Sequence, residues 1–170
     1  MKIKICFLMI IATLTVLFAS CASAGNISSN DKIQEKADFS ILQGKKWELV
    51  KVETKSKNIE LDRTQMNTMN QGNMFILAID NERISGKAAP NNYSGKIINQ
   101  EGKKITFSQI VSTKMASIAD IKNTLLHEDE YFQLLQKTTS WDIINDNLIL
   151  YTVNDKNEET KLIYKRRIEK

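Results

Sequence analysis

A chain of 170 residues with 42% hydrophobic and 26% charged residues can bury one core of ordinary size but not two. The formal charge of +4 falls to +2 once Lys2 and Lys4 are set aside with the leader that carries them, too small a surplus to mark a nucleic-acid-binding face. With Cys6 inside that leader and Cys21 at its edge, no cysteine pair is left for a disulfide framework.

Lys2 and Lys4 precede Ile5–Phe18, a run of 14 residues without a charge. A membrane span needs about 20 residues, so the run reads as the core of a secretory signal over residues 1–20. Two processing routes fit its end. Phe18-Ala19-Ser20-Cys21 has the form of a bacterial lipobox, with Phe18 where leucine is usual, and makes Cys21 the lipid attachment site. Ala22-Ser23-Ala24 is an A-x-A site for ordinary signal peptidase, and cleavage after Ala24 gives a secreted or periplasmic chain. The first route places the protein in the cell envelope, held to a bacterial membrane by an N-terminal lipid. Residues 21–40 are polar and aperiodic, as a flexible tether is, and the folded domain occupies 41–170.

The first strand signal is Lys46–Val52, with Trp47 and Leu49 on one face. Glu53 to Gln71 is a polar trough, and Gln65–Gln71 is too polar for a core element, so it reads as a surface connection. Met74–Ile79 is a short apolar run ending in the turn Asp80-Asn81, and Arg83–Gly86 completes a hairpin. Ile84 to Gly95 then holds the only proline and two of the six glycines of the chain. Gly86 and Gly95 suit backbone that a Cβ resists, Pro90 fixes its own φ, and Asn91 and Asn92 bond local backbone as turn residues do. That stretch is a specified bend. Ile97-Ile98 and Lys104–Ser108 follow on either side of a turn at Asn99–Gly102.

After Met115 the period changes. Ile118, Ile121, Leu125, Phe132 and Leu135 fall on one helical stripe, with His127 on the far side, Ser117 and Asp120 spaced as a capping box, and a break near Glu128-Asp129-Glu130 left open. Trp141–Ile144, the turn Asn145–Asn147, Leu148–Val153 and Lys161–Lys165 return to hairpins. Strands at roughly ten-residue spacing with tight turns predict a mainly β fold, an antiparallel sandwich or barrel with one helix.

The residues offer little chemistry. His127 is the only histidine and has no nucleophile motif beside it. Four clustered zinc ligands and a glycine-rich phosphate loop are both missing from the sequence. Adjacent acids at Glu128-Asp129-Glu130 point in different directions on a helix and read as a solvated face. No catalytic residue, metal or cofactor is expected.

The ordered set Leu42–Leu49, Ile84–Gly95 and Ser112-Thr113-Lys114-Met115-Ala116 resembles the META domain family, which includes the HslJ-type heat-inducible lipoproteins of bacterial envelopes. Glu128 followed by Tyr131-Phe132 and Leu135, and the closing Leu148–Leu150, fit the same pattern over about residues 41 to 165. The family often reads Gly-Cys-Asn where this chain has Ala89-Pro90-Asn91, and has a second cysteine where this chain has Ser117. Both are missing together, as loss of a paired bridge would leave them, with Pro90 stiffening the bend and Ser117 free to cap the helix. The resemblance implies a small antiparallel β-barrel of lipocalin-like topology with one packed α-helix, and its motif positions here are Trp47, Gly86, Pro90, Asn91, Tyr93, Gly95, Thr113 and Met115. Asn91, Tyr93, Thr113 and Met115 either line one site or lock the Ile84–Gly95 bend against Ser112–Ala116; the structural role is preferred, because Asn and Thr in bends satisfy backbone groups. The resemblance also implies a non-enzymatic envelope lipoprotein that supports envelope integrity or stress tolerance through contacts with envelope proteins. Two other functions fit a barrel of this kind: holding a small apolar ligand near the Asn91 bend, and inhibiting a secreted protease with a loop such as Gln65–Asn73.

Overall fold

The computed structural model describes residues 39–114 and 126–168. The elements run β1 (Lys45–Thr54), β2 (Asn58–Glu60), α1 (Arg63–Thr68), β3 (Ile76–Asp80), β4 (Arg83–Lys87), β5 (Asn92–Glu101), β6 (Lys104–Phe107), β7 (Val111–Ser112), α2 (Glu128–Gln136), β8 (Ser140–Ile144), β9 (Asn147–Val153) and β10 (Glu159–Arg166). Strands pair antiparallel in the circuit β10-β9-β8-β6-β5-β4-β3-β1, and β1 pairs back on to β10, closing an eight-stranded barrel. β2 pairs with the lower half of β1, and β7 with the start of β5. The mainly β fold and the barrel with a packed helix are those expected.

The two seams differ. β1 runs against β10 from Trp47–Arg166 to Thr54–Thr160, with a bulge between Leu49 and Lys51. β6 and β8 share the single pair Lys104–Ser140, flanked by bonds from Ile105 N–H to Thr139 O (3.0 Å) and from Trp141 N–H to Lys103 O (2.8 Å).

Strand alternation fills the interior. Trp47, Leu49, Leu77, Ile79, Ile84, Ile105, Trp141, Leu148, Leu150 and Leu162 are all buried there. Each such side chain contributes about 1.5–3 kcal/mol by leaving water. Phe39 and Leu42 cover the pole where β1 begins, and the Phe39 ring meets Trp141 edge-on at 6.0 Å. At the opposite pole α2 inserts Tyr131, Leu134 and Leu135. Turn chemistry sets the register: Asn81 at φ 45° turns the β3–β4 hairpin, and Asn145 and Asp146 at φ 50° and 62° turn β8 into β9.

Three local expectations change. The helix begins at Glu128, and His127 is the extended residue before it (φ −88°, ψ 153°), because the buried stripe is Tyr131, Leu134 and Leu135. Ile118, Ile121 and Leu125 and the Ser117–Asp120 pair lie outside the described residues. Second, part of the polar trough is the helix α1. Asp62 caps it by accepting from Thr64 N–H (2.9 Å) and Gln65 N–H (3.0 Å), and Met66 is buried beneath it. Third, Gly86 and Gly95 have ordinary φ; the left-handed glycines are Gly44 and Gly102. Gly86 and Gly95 answer instead to the space around them.

Candidate functional site

The bend expected to mark the domain sits at the helix pole. Ala89–Pro90 is a cis peptide, and Ala88 N–H bonds Asn91 O at 2.8 Å. Asn91 is buried and tied on two sides. Its backbone N–H donates to Glu128 Oε1 (3.0 Å) and its Nδ2 to Glu128 Oε2 (2.7 Å). Its Oδ1 accepts from Thr113 Oγ1 at 3.0 Å. Thr113 also accepts from Asn92 N–H (3.1 Å) and donates its own N–H to Asn92 O (3.0 Å). The bend, the strand end after β7 and the first turn of α2 are thereby clasped by three side chains. Glu128, read from the sequence as part of a solvated face, is one of them, because the fold brings it against a segment 37 residues away.

Next along β5, Tyr93 lies across from Gly86 of β4. A Cβ on Gly86 would stand 1.8 Å from Ile76 O and 2.8 Å from Tyr93 Oη. The glycine makes room for the phenol to reach Ile76 O, to which it donates at 2.9 Å. Tyr93 Oη is 3.1 Å from Tyr131 Oη, which is 3.2 Å from Tyr164 Oη. Each hydroxyl has one proton. Since that of Tyr93 goes to Ile76 O, Tyr131 donates to Tyr93 and Tyr164 donates to Tyr131. Burial raises all three pKa values: that of Tyr131 to about 12, those of Tyr93 and Tyr164 well above their usual value of 10. A phenol held protonated is a poor nucleophile and a poor base near neutrality.

Arg63 completes this pole, and sequence reasoning missed it. Its guanidinium donates to the main-chain oxygens of Leu49, Met74 (2.8 Å) and Phe75 (3.2 Å). Burial lowers its pKa, and the nearby Glu48 carboxylate opposes that shift. The carbonyls it gathers come from β1 and from the approach to β3. There Phe75 holds φ 52°, a left-handed conformation costly for a bulky residue. Leu49 N–H also bonds Phe75 O (3.0 Å), and the Phe75 ring packs edge-on against Tyr131 at 5.3 Å. The Asp62 cap signal could have found α1. No local signal could have found carbonyl partners 11–14 residues away.

Of the other motif positions, Trp47 is buried in the barrel, and Gly95 leaves room for Ile110, whose Cδ1 would be 3.0 Å from an added Cβ. Pro90 is half-buried beside Asn91. Met115 and Cys21 lie outside the described residues. His127 is exposed. Among the described residues no three His, Cys, Asp or Glu side chains are grouped to hold a metal ion, and no helix is long and apolar enough to cross a membrane. A recess of about 1060 Å³ lies beside the β3–β4 hairpin and another of about 580 Å³ beside α2; Leu49, Leu77, Ile84 and Leu150 line neither. Asn91 and Thr113 are thus joined with Glu128 in one hydrogen-bonded clasp, with Gly86 and Tyr93 packed beside it.

The family model described as META domain matches residues 40–166. An NMR structure of a protein from Burkholderia xenovorans is similar in fold, with a TM-score of 0.52 and 17% sequence identity over 78% of this chain and 88% of that one. No curated protein matches the chain.

Proposed function

This chain belongs to the META domain family, and we propose that it serves as a non-enzymatic, envelope-anchored domain that supports envelope integrity or stress tolerance through protein contacts on its outer surface. The observation that carries this reading is the filled barrel. Its interior is packed with side chains, and both poles are covered, by Phe39 and Leu42 at one and by α2 at the other. A ligand barrel needs an apolar cavity open at one end, so the packing counts against a small apolar ligand inside. The protease-inhibitor reading loses its extended loop, since Gln65–Thr68 is helical and the neighbouring Arg63 pins it to the barrel. Anchoring follows from the lipobox-like Phe18–Cys21, with Cys21 carrying the lipid.

The test is in-cell cross-linking followed by mass spectrometry of the membrane fraction, on the wild type and on Cys21→Ser. The expected result is a reproducible set of envelope proteins linked to the wild type, with Cys21→Ser lost from the membrane fraction. Unchanged partitioning of Cys21→Ser would overturn the anchor. A stoichiometric apolar small molecule with no cross-linked protein would overturn the contact function.

A further inference from the structure

We propose that β2 and the groove beside it form a docking site for an extended basic segment of a partner protein, added as a further antiparallel strand. The proposal deepens the protein-contact reading above and rests on it. β2 is an edge. Its ladder with β1 runs through Lys51–Glu60, Val52–Ile59 and Glu53–Asn58, and is bounded by bonds from Thr54 N–H to Lys57 O (2.9 Å) and from Leu61 N–H to Val50 O (2.9 Å). Bonded and non-bonded pairs alternate in an antiparallel ladder. Lys57, Ile59 and Leu61 therefore face β1, and Asn58 and Glu60 turn their N–H and C=O groups outward. No bond receives those groups among the described residues. Edge groups of this kind are what an added strand pairs with.

Beside that edge lies the groove of about 580 Å³, walled by the first turn of α2 and the β9–β10 turn. Its floor is aliphatic, from Val52, Ile59 and Leu134. The walls are preformed: Ser56 Oγ donates to Glu158 Oε2 (2.9 Å) across the two turns, and Asn154 Nδ2 holds the same oxygen (2.7 Å). The rim carries Asp129, Glu130, Asp155 and Glu158 against Lys57 and Lys156. Glu60 adds a carboxylate on the outer face of β2. Asp155 is engaged by Lys137, whereas Asp129 and Glu130 join no salt bridge among the described residues. An occupying strand therefore finds main-chain partners along one side, an aliphatic floor for alternate side chains, and a carboxylate excess that selects lysine or arginine and repels acidic strands.

The test uses the full chain and a capped, fluorescein-labelled seven-residue peptide alternating lysine and valine. Anisotropy should report saturable binding, and amide resonance shifts should cluster on β2, the start of α2 and the β9–β10 turn. Asn58→Pro removes an outward N–H while leaving the β1 ladder and the net charge unchanged; it should weaken binding about tenfold, the equivalent of roughly one hydrogen bond. Asp129→Asn with Glu130→Gln should weaken it severalfold and flatten its salt dependence. A peptide N-methylated on the side facing β2 keeps the protein intact and should lose binding. Absence of binding, shifts elsewhere, equal binding to Asn58→Pro, or equal binding of a glutamate–valine peptide would each overturn the site. Cross-linking in the envelope separates this failure from that of the broader reading: if wild type and Asn58→Pro capture the same proteins, contacts stand and the β2 groove falls. If the wild type captures none, the contact function itself falls.

Discussion

Gly86 and Tyr93 show how one missing methyl group sets a network. Gly86→Ala would drive a Cβ into the main-chain Ile76 O and against Tyr93 Oη, which its own hydrogen bonds hold in place, so it should cost about 3 kcal/mol in urea denaturation, the upper part of the overpacking range. The tyrosine chain makes a second, sharper expectation. Tyr131→Phe removes a bond to each neighbour and strips Tyr164 of its hydroxyl partner, a loss of about 1–3 kcal/mol. Tyr164→Phe removes only the terminal donor and should cost less, so the order of the two denaturation midpoints checks the direction of the chain. Alkaline pH is the third test. A phenol with pKa near 10 when unfolded and about 12 when folded leaves the unfolded state with fewer bound protons between those values. The stabilisation is complete below pH 10 and is lost as pH rises towards 12, at about 1.4 kcal/mol per pH unit for each ionising phenol. Equilibrium unfolding across that range should show the fall, and it should be shallower in Tyr131→Phe.

The clasp of the bend, the strand end and α2 is a property of elements, since it joins three of them through Asn91, Thr113 and Glu128. Glu128→Ala removes two charge-assisted bonds and should destabilise by about 2–3 kcal/mol. A double-mutant cycle with Asn91→Ala should give a coupling of about 1–3 kcal/mol; simple additivity would mean that the two residues act apart. At this scale the sequence was legible where its signals are local. Alternation at Trp47 and Leu49, the turn residues Asn81 and Asn145-Asp146, and the ordered META motifs led to the barrel. The bend was visible too, and its partner segment around Thr113 was anticipated from motif order. Arg63 is not legible, and Glu128 is legible as a motif position but not as a partner of Asn91, because what they bind lies far off in the chain and a charged group in a polar stretch looks solvated. In the sequence Gly86 reads as a conformational signal. Its need is a neighbour's carbonyl, not a positive φ, and only the β3–β4–β5 register discloses that. Ile59-Glu60-Leu61 interrupts the polar trough in the sequence, but so short an alternation does not disclose a strand edge.

As a whole, the molecule depends on its first and last strands finding each other. The β1–β10 seam joins residues more than a hundred positions apart, and such topologies fold slowly because loop entropy is spent before the contacts form. Hydrogen exchange should therefore place the β1–β10 amides among the slowest, exchanging with global unfolding, and those at the single-pair β6–β8 seam among the faster ones. Faster exchange in β1 and β10 than in β6 would contradict this reading of closure. The same seam has a consequence for orientation. Arg167 N–H bonds Lys46 O (2.8 Å), so the chain enters and leaves the barrel at one pole. The first and last strands of the barrel thus end side by side, and the molecule has a near face and a far face. The Asn91 bend, α2 and the edge of β2 all belong to the far face, so a partner seated there meets neither end of the barrel's chain.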